Sequence, residues 1–238
     1  MDERDEKMMP LLDHLEELRQ RIIISLISVA ALAVVGWFLS PFLLRVLAEP
    51  IGTLYFFTVT GAFLVRLKVA VAVGVAASTP VILYQAWAFT LPALNRGERR
   101  YAFPAVLSAT ILFGVGVAFA LFGILPLAVR FFLGFGAGSL KDLISVDRYL
   151  SFVLRLLIGF GVVFELPVVI FFLSKVGIVT SQGLREKRRV AVVAIALMAA
   201  MLTPPDVITM AALGIPLLIL YELSIWVAKL AGGPRRRA

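Results

Sequence analysis

Polar and apolar positions in this chain fall into long blocks, not into a short alternating period. Crossing about 30 Å of hydrocarbon takes about twenty helical residues, and charge-poor runs of roughly that length recur. The first covers 22–40 and is stopped by Ser40-Pro41. A loop with Arg45, Glu49, Pro50 and Gly52 follows, then a second run over 69–91 closed by Pro92. The third covers 103–125 and ends at Pro126. Next comes LPLAVRFFLGFGAGSL, whose glycines, Pro126 and Arg130 predict an interfacial or re-entrant segment and not a span. The fourth run covers 149–176. The fifth, over 190–203, has an apolar stretch equivalent to about 20 Å of helix, short for a crossing. The sixth covers 207–230 and carries Pro216, which predicts a kink. The pattern therefore predicts one all-α membrane domain of six helices, with outer segments at 41–68 and 126–148.

Composition agrees with the pattern. Of 238 residues 61% are hydrophobic and 16% charged, with mean hydropathy +0.99, well outside the range of soluble domains. The net charge of +8 would fit nucleic acid in a soluble chain; here basic residues flank spans, where topology needs them, and no nucleic-acid partner is expected. With the N-terminus inside, the cytoplasmic side collects Arg4, Lys7, Arg19, Arg21, Arg96, Arg99, Arg100, Lys175, Arg185, Lys187, Arg188, Arg189, Lys229, Arg235, Arg236 and Arg237. These are sixteen of the 23 basic residues, which fits six helices with both termini in the cytoplasm. The charged opening stretch ahead of a full-length apolar run predicts no cleavable signal. No internal repeat with matched broken helices is visible, which counts against a secondary transporter.

Candidate chemistry is confined to a few acids. In LLDHLEELRQRI (11–22), Leu11, Leu15, Leu18 and Ile22 share one face of an amphipathic helix running into the first span. Asp13 and Glu17 lie together on its flank, one turn below the membrane surface. A solvated helix start with a Glu17–Arg21 pair is the ordinary explanation. Yet carboxylates here oppose the positive-inside pattern and suit a cationic ligand arriving from the cytoplasm. Glu98 is the single acid of the loop in FTLPALNRGERR (89–100). With Glu17 it could form a two-carboxylate receptor for guanidinium groups, which carboxylates bind bidentately. Glu165, in GFGVVFELPVV, lies deep in the fourth span, where an acid costs a few kcal/mol unless neutral, paired or facing water. Pro167 frees a carbonyl nearby, and Gly159 and Gly161 thin the same helix. Glu222 is nearer the cytoplasmic end of the last helix and reads as paired or water-facing. LTPPD (202–206) is a sharp outer turn in which Asp206 can cap the next helix.

Catalysis and cofactors find no support. There is no cysteine and one histidine, His14, so neither a metal site nor a histidine-based nucleophile can be assembled, and enzyme and phosphate-loop motifs are absent. No cofactor is expected.

HLEELRQRI, PVILYQAWAFTLPALNRGERR, GFGVVFELPVV and LTPPD, in this order and at this spacing, resemble the TatC family of the twin-arginine protein translocation system over almost the whole chain. The resemblance implies a cupped-hand bundle of six helices with short fifth and sixth members, in the bacterial cytoplasmic membrane. It implies docking of folded passengers that carry Arg-Arg signal peptides. It further implies a multi-copy assembly with TatA-like and TatB-like single-span proteins, driven by the proton-motive force. By the same resemblance Glu17 and Glu98 bind the two arginines, with Arg19 and Phe89 beside them. Glu165 faces the concave side, and Pro50 and Asp206 are functionally sensitive outer positions. Two positions depart from the pattern: Met210 stands where a glutamine is common, and Gly61 where an acid is common in the first outer loop.

Three other readings compete. The strongest is a proton-coupled small-solute transporter or channel using Glu165 as its relay, although no second acid–base partner lies at similar depth. A membrane-embedded hydrolase lacks a nucleophile–base pair. An assembly scaffold without a recognition role would leave Glu17 and Glu98 idle.

Overall fold

A computed structural model describes residues 3–90, 102–136, 143–202 and 207–231, with side chains placed over 13–89, 103–134, 143–202 and 207–231. Among the described residues there is no strand, only helix joined by short connections. The helices are α1 (Glu3–Ala48), α2 (Gly61–Thr90), α3 (Ala102–Phe119), α4 (Leu125–Gly136), α5 (Val146–Phe164), α6 (Leu166–Lys175), α7 (Ser181–Glu186), α8 (Arg188–Leu202) and α9 (Val207–Ala231). Among the described residues, five stretches are long and apolar enough to cross a membrane: Asp13–Ala48, Gly61–Phe89, Phe103–Gly134, Val146–Lys175 and Val207–Ala231. The 15 residues of α8 make only about 22 Å of helix.

Prolines end fewer helices than the sequence predicts. Helix α1 does not stop at Ser40-Pro41 but runs on to Ala48. Pro41 has no N–H to give the Trp37 carbonyl; the Ser40 hydroxyl donates to that carbonyl instead, at 2.7 Å, one of the ways membrane helices tolerate proline. Pro126 likewise fails to end the third helix. A π-turn over Ala120–Ile124 joins α3 to α4, with the Leu125 N–H bonded to the Ala120 carbonyl, and the chain stays helical to Gly136. Residues 126–136 therefore continue the third helix and do not form a re-entrant segment; 137–142 lie outside the described residues. Helix α2 begins at Gly61, eight residues before the apolar run, because Arg66 and Lys68 are carried within the helix.

Lipid chains are as apolar as leucine, so helix association in a membrane rests on close packing and not on hydrophobic burial. Glycines make that approach possible at the α1–α2 crossing. A Cβ on Gly36 would sit 2.6 Å from the Ala70 carbonyl oxygen, and one on Gly74 2.6 Å from that of Val29. The centre of the bundle is α5, whose Val153, Leu156 and Phe160 are completely buried and cluster with Val65, Leu125, Leu150 and Leu213. Large apolar side chains such as Phe38, Phe122 and Trp226 point outward, as a lipid-facing shell requires.

At the Ala48 end two connections are tied together. Tyr55 N–H donates to Ile144 O (3.0 Å) and Val146 N–H to Tyr55 O (3.1 Å). The buried Tyr149 hydroxyl donates to Leu47 O at 2.7 Å. Pro50 is exposed in the turn that leaves α1, where the Ile51 and Gly52 N–H groups close on Ala48 O and Gly52 takes φ +80°. Only glycine enters that region without strain.

Candidate functional site

Helical spacing brings His14, Glu17 and Arg21 (i, i+3, i+7) to one face of α1, against the last turns of α2. Arg21 Nε donates to Glu17 Oε1 at 3.0 Å, and its Nη2 bonds the same oxygen. Arg21 Nη1 donates to Gln85 Oε1 of α2 at 3.2 Å. Among the described residues, Oε2 of Glu17 meets only the His14 ring, 3.8 Å away. That ring stacks on Phe89 of α2 with centroids 4.2 Å apart and planes 14° from parallel. The result is a polar corner where two helices meet, with one carboxylate oxygen committed to Arg21 and the other, among the described residues, facing the His14 ring alone. Below this corner, Leu18, Ile22, Leu26, Val29, Ile82 and Phe89 line an apolar groove of about 480 Å³ between α1 and α2.

Of the residues the sequence singles out, the structure brings Glu17 and Phe89 together through His14. Arg19 lies on the other flank, exposed and bonded to Glu16 at 3.2 Å. Glu98 and Asp206 lie outside the described residues, so the two-carboxylate pairing with Glu17 remains an expectation. Sequence reasoning did not select Gln85 or the His14–Phe89 stack. Gln85 and Phe89 are four apart, one face of a helix end, and that spacing was the available signal.

Glu165 occupies the single non-helical position between α5 and α6. Pro167, at the second position of α6, supplies no N–H, and α6 restarts with Val168 and Val169 N–H groups on the Glu165 carbonyl, both at 3.0 Å. Its side chain is 8% exposed, and Oε1 has no hydrogen-bond partner among the described residues. It lines a cavity of about 370 Å³ with Leu83 and Trp87 of α2, Ala109 of α3, and Val168 and Phe172 of α6. Gly161 lets Phe113 of α3 approach this break, and Gly159 lets Leu202 of α8 approach. Glu222 is paired, accepting from Arg188 Nη2 at 2.7 Å. Met210 packs against the central cluster, and no group of three metal-ligating side chains occurs among the described residues.

A helical bundle with five membrane-length stretches, a polar corner at one end and a buried acid at a helix break is a multi-pass membrane protein. Residues 13–216 match the family described as Sec-independent protein translocase protein (TatC). The TatC protein of Carboxydothermus hydrogenoformans is 40% identical over 230 residues, covering 94% of this chain and 95% of that protein. That of Aquifex aeolicus is 40% identical over 231 residues, covering 94% and 96%. A crystal structure described as the twin arginine translocase receptor TatC superposes with a TM-score of 0.83 at 39% identity, covering 92% of this chain and 99% of that one. The chain belongs to the TatC family, and its role is in twin-arginine protein export. The solute-transporter reading gains nothing from these likenesses and is set aside.

Proposed function

We propose that this chain is the receptor and core subunit of the export system, and that the corner around Glu17 binds the arginines of an Arg-Arg signal peptide. The observation that carries the reading is Glu17 Oε2, which among the described residues meets the His14 ring but no arginine or lysine, directly above an apolar groove. An export signal has the matching order of features, a basic segment followed by an apolar one. Guanidinium is the cation that pairs best with a carboxylate. Phe89 extends the corner with an aromatic face suited to a cation. Glu98 supplies the second carboxylate, and Arg19, on the outer flank, tunes the charge of the approach.

In this reading six helices cross the bacterial cytoplasmic membrane with both termini inside, α8 being the short fifth. TatA-like and TatB-like single-span proteins assemble around several copies of the chain, and the proton-motive force drives passage. Asp206 and Pro50 shape the outer turns, and Glu165 keeps a polar wall within the bundle.

Photo-crosslinking from a signal peptide carrying Arg-Arg, then Lys-Lys, tests the central claim. The Arg-Arg peptide should label the Glu17 corner and the Lys-Lys peptide should label it weakly. Glu17→Ala should weaken Arg-Arg binding on the order of tenfold, the scale of a lost charge-assisted contact. Arg21→Gln should not weaken it, because Arg21 competes with the ligand for Oε1. Unchanged affinity and labelling in folded Glu17→Ala protein would end the receptor reading.

A further inference from the structure

A second open groove runs between α2 and α5, at the other end of the bundle from Glu17. It has a volume of about 670 Å³ and walls of Leu67, Val71 and Val75 on one side and Leu154 and Ile158 on the other, closed by Leu202 of α8. Its lining is apolar except at one end, where Lys68, Ser151 and Arg155 converge. Lys68 Nζ donates to Asp147 (2.6 Å) and to Ser151 Oγ (2.9 Å). Arg155 donates Nε to the Ser151 carbonyl at 3.1 Å. No carboxylate pairs with Arg155 among the described residues. Two cations and one acid therefore share this end, with a positive charge left over.

Lys68 is seven residues from the start of α2 and Arg155 nine from the start of α5, or about 10 and 14 Å along the axes. The stretches that carry them have 29 and 30 residues, about 45 Å of helix against about 30 Å of hydrocarbon. Their ends overhang, so both cations sit near the boundary between hydrocarbon and headgroups, within snorkelling reach of it. A guanidinium with no carboxylate partner at that depth is costly unless an anion arrives.

We propose that this groove binds an anionic phospholipid, its phosphate held by Arg155 and Lys68 and one acyl chain lying between α2 and α5. A phosphodiester offers acceptors for both cations at once, and the uncharged length of the groove below them matches an acyl chain. The volume of about 670 Å³ is that of a small-ligand cleft, about 300–1,000 Å³. Assignment to the outer leaflet rests on the topology proposed above; the binding itself does not.

The test uses the full-length protein, delipidated in mild detergent, with phosphatidylglycerol and phosphatidylcholine of identical chains, read by native mass spectrometry and by the melting temperature. Phosphatidylglycerol should be retained at least fivefold over phosphatidylcholine and should raise the melting temperature more. Arg155→Gln should bring the two lipids to parity, Arg155→Lys should restore much of the preference, and Arg45→Gln, at the end of α1, should leave it intact. Melting without lipid verifies that each variant is folded. Equal retention of the two lipids, or undiminished preference in Arg155→Gln, overturns the proposal. So does Arg155-dependent binding of a single-span peptide bearing a glutamate in protein that shows no lipid preference. Signal-peptide affinity is measured separately at the Glu17 corner, so failure here leaves that reading standing.

Discussion

Two glycines on one turn of α3 give a test of how closely the bundle is packed. At Gly116 an added Cβ would lie 2.6 Å from the Phe160 carbonyl oxygen and 2.8 Å from Cγ of Phe164. Comfortable non-bonded separation is about 3.5–4.0 Å between carbon atoms, so the helices would have to part by nearly 1 Å. Phe160 is wholly buried at the centre of the bundle, and the obstruction is backbone, which cannot rotate away. Overpacking of this kind costs about 1–3 kcal/mol. Two residues earlier, Gly114 has nothing within 4 Å of the same added atom. Replacement by alanine gains about 0.8–1 kcal/mol of helix propensity at either place, so that contribution cancels when the variants are compared. Gly114→Ala should therefore exceed Gly116→Ala in stability by about 1–3 kcal/mol. Urea unfolding in mild detergent measures the difference, and export of a folded reporter in cells shows whether the α3–α5 crossing must stay tight for function. If Gly116→Ala unfolds at or above the urea concentration of Gly114→Ala, the close approach at this crossing is wrong.

Glu165 separates a polar wall from simple interhelical glue. Glu165→Gln keeps hydrogen-bonding capacity and Glu165→Leu removes it; if the polar wall is what matters, the leucine variant stays folded and binds signal peptide but exports poorly. Stability in detergent and reporter export are measured on both, and loss of stability that tracks loss of export across the pair would leave only glue. For topology, cysteines placed at Asn95 and Gln182 should resist a membrane-impermeant reagent added to intact cells, while cysteines at Thr53 and Asp206 should react. Labelling at 95 from outside would refute the arrangement with both termini inside.

Legibility in the sequence followed the kind of physics involved. Apolar length carried the all-helical reading: the long elements among the described residues are helices, and five stretches of them are apolar and long enough to cross a membrane. The break at Glu165 was foreshadowed by Pro167, whose ring nitrogen has no N–H to continue the helix. Pro41 and Pro126 misled because a proline ends a helix only when nothing else supplies the lost bond. At 41 a serine hydroxyl does so, and at 126 a π-turn re-registers the backbone. The polar corner was half legible. Glu17 stood out because its charge opposed the topology pattern, whereas Gln85 and the stack of His14 on Phe89 carry no such anomaly and became visible only when α1 and α2 were laid side by side. The groove over Arg155 was illegible for the same reason, since an arginine near a helix start looks like an ordinary flanking charge until its neighbours prove to lack a matching acid.

The hydroxyl of Ser40 has a consequence for heredity. It donates to the carbonyl that Pro41 leaves bare, and it also accepts from Arg66 of α2 at 3.2 Å, whose guanidinium lies 4.7 Å over the Trp37 ring. Ser40 and Pro41 are thus not two independent letters. Losing the serine alone strands a carbonyl inside the helix and loosens an arginine on its neighbour, whereas losing the proline first restores the backbone donor and lightens the serine's task. Substitution in one order passes through an injured intermediate and in the other through a tolerated one, so the path by which such a pair drifts apart has a direction.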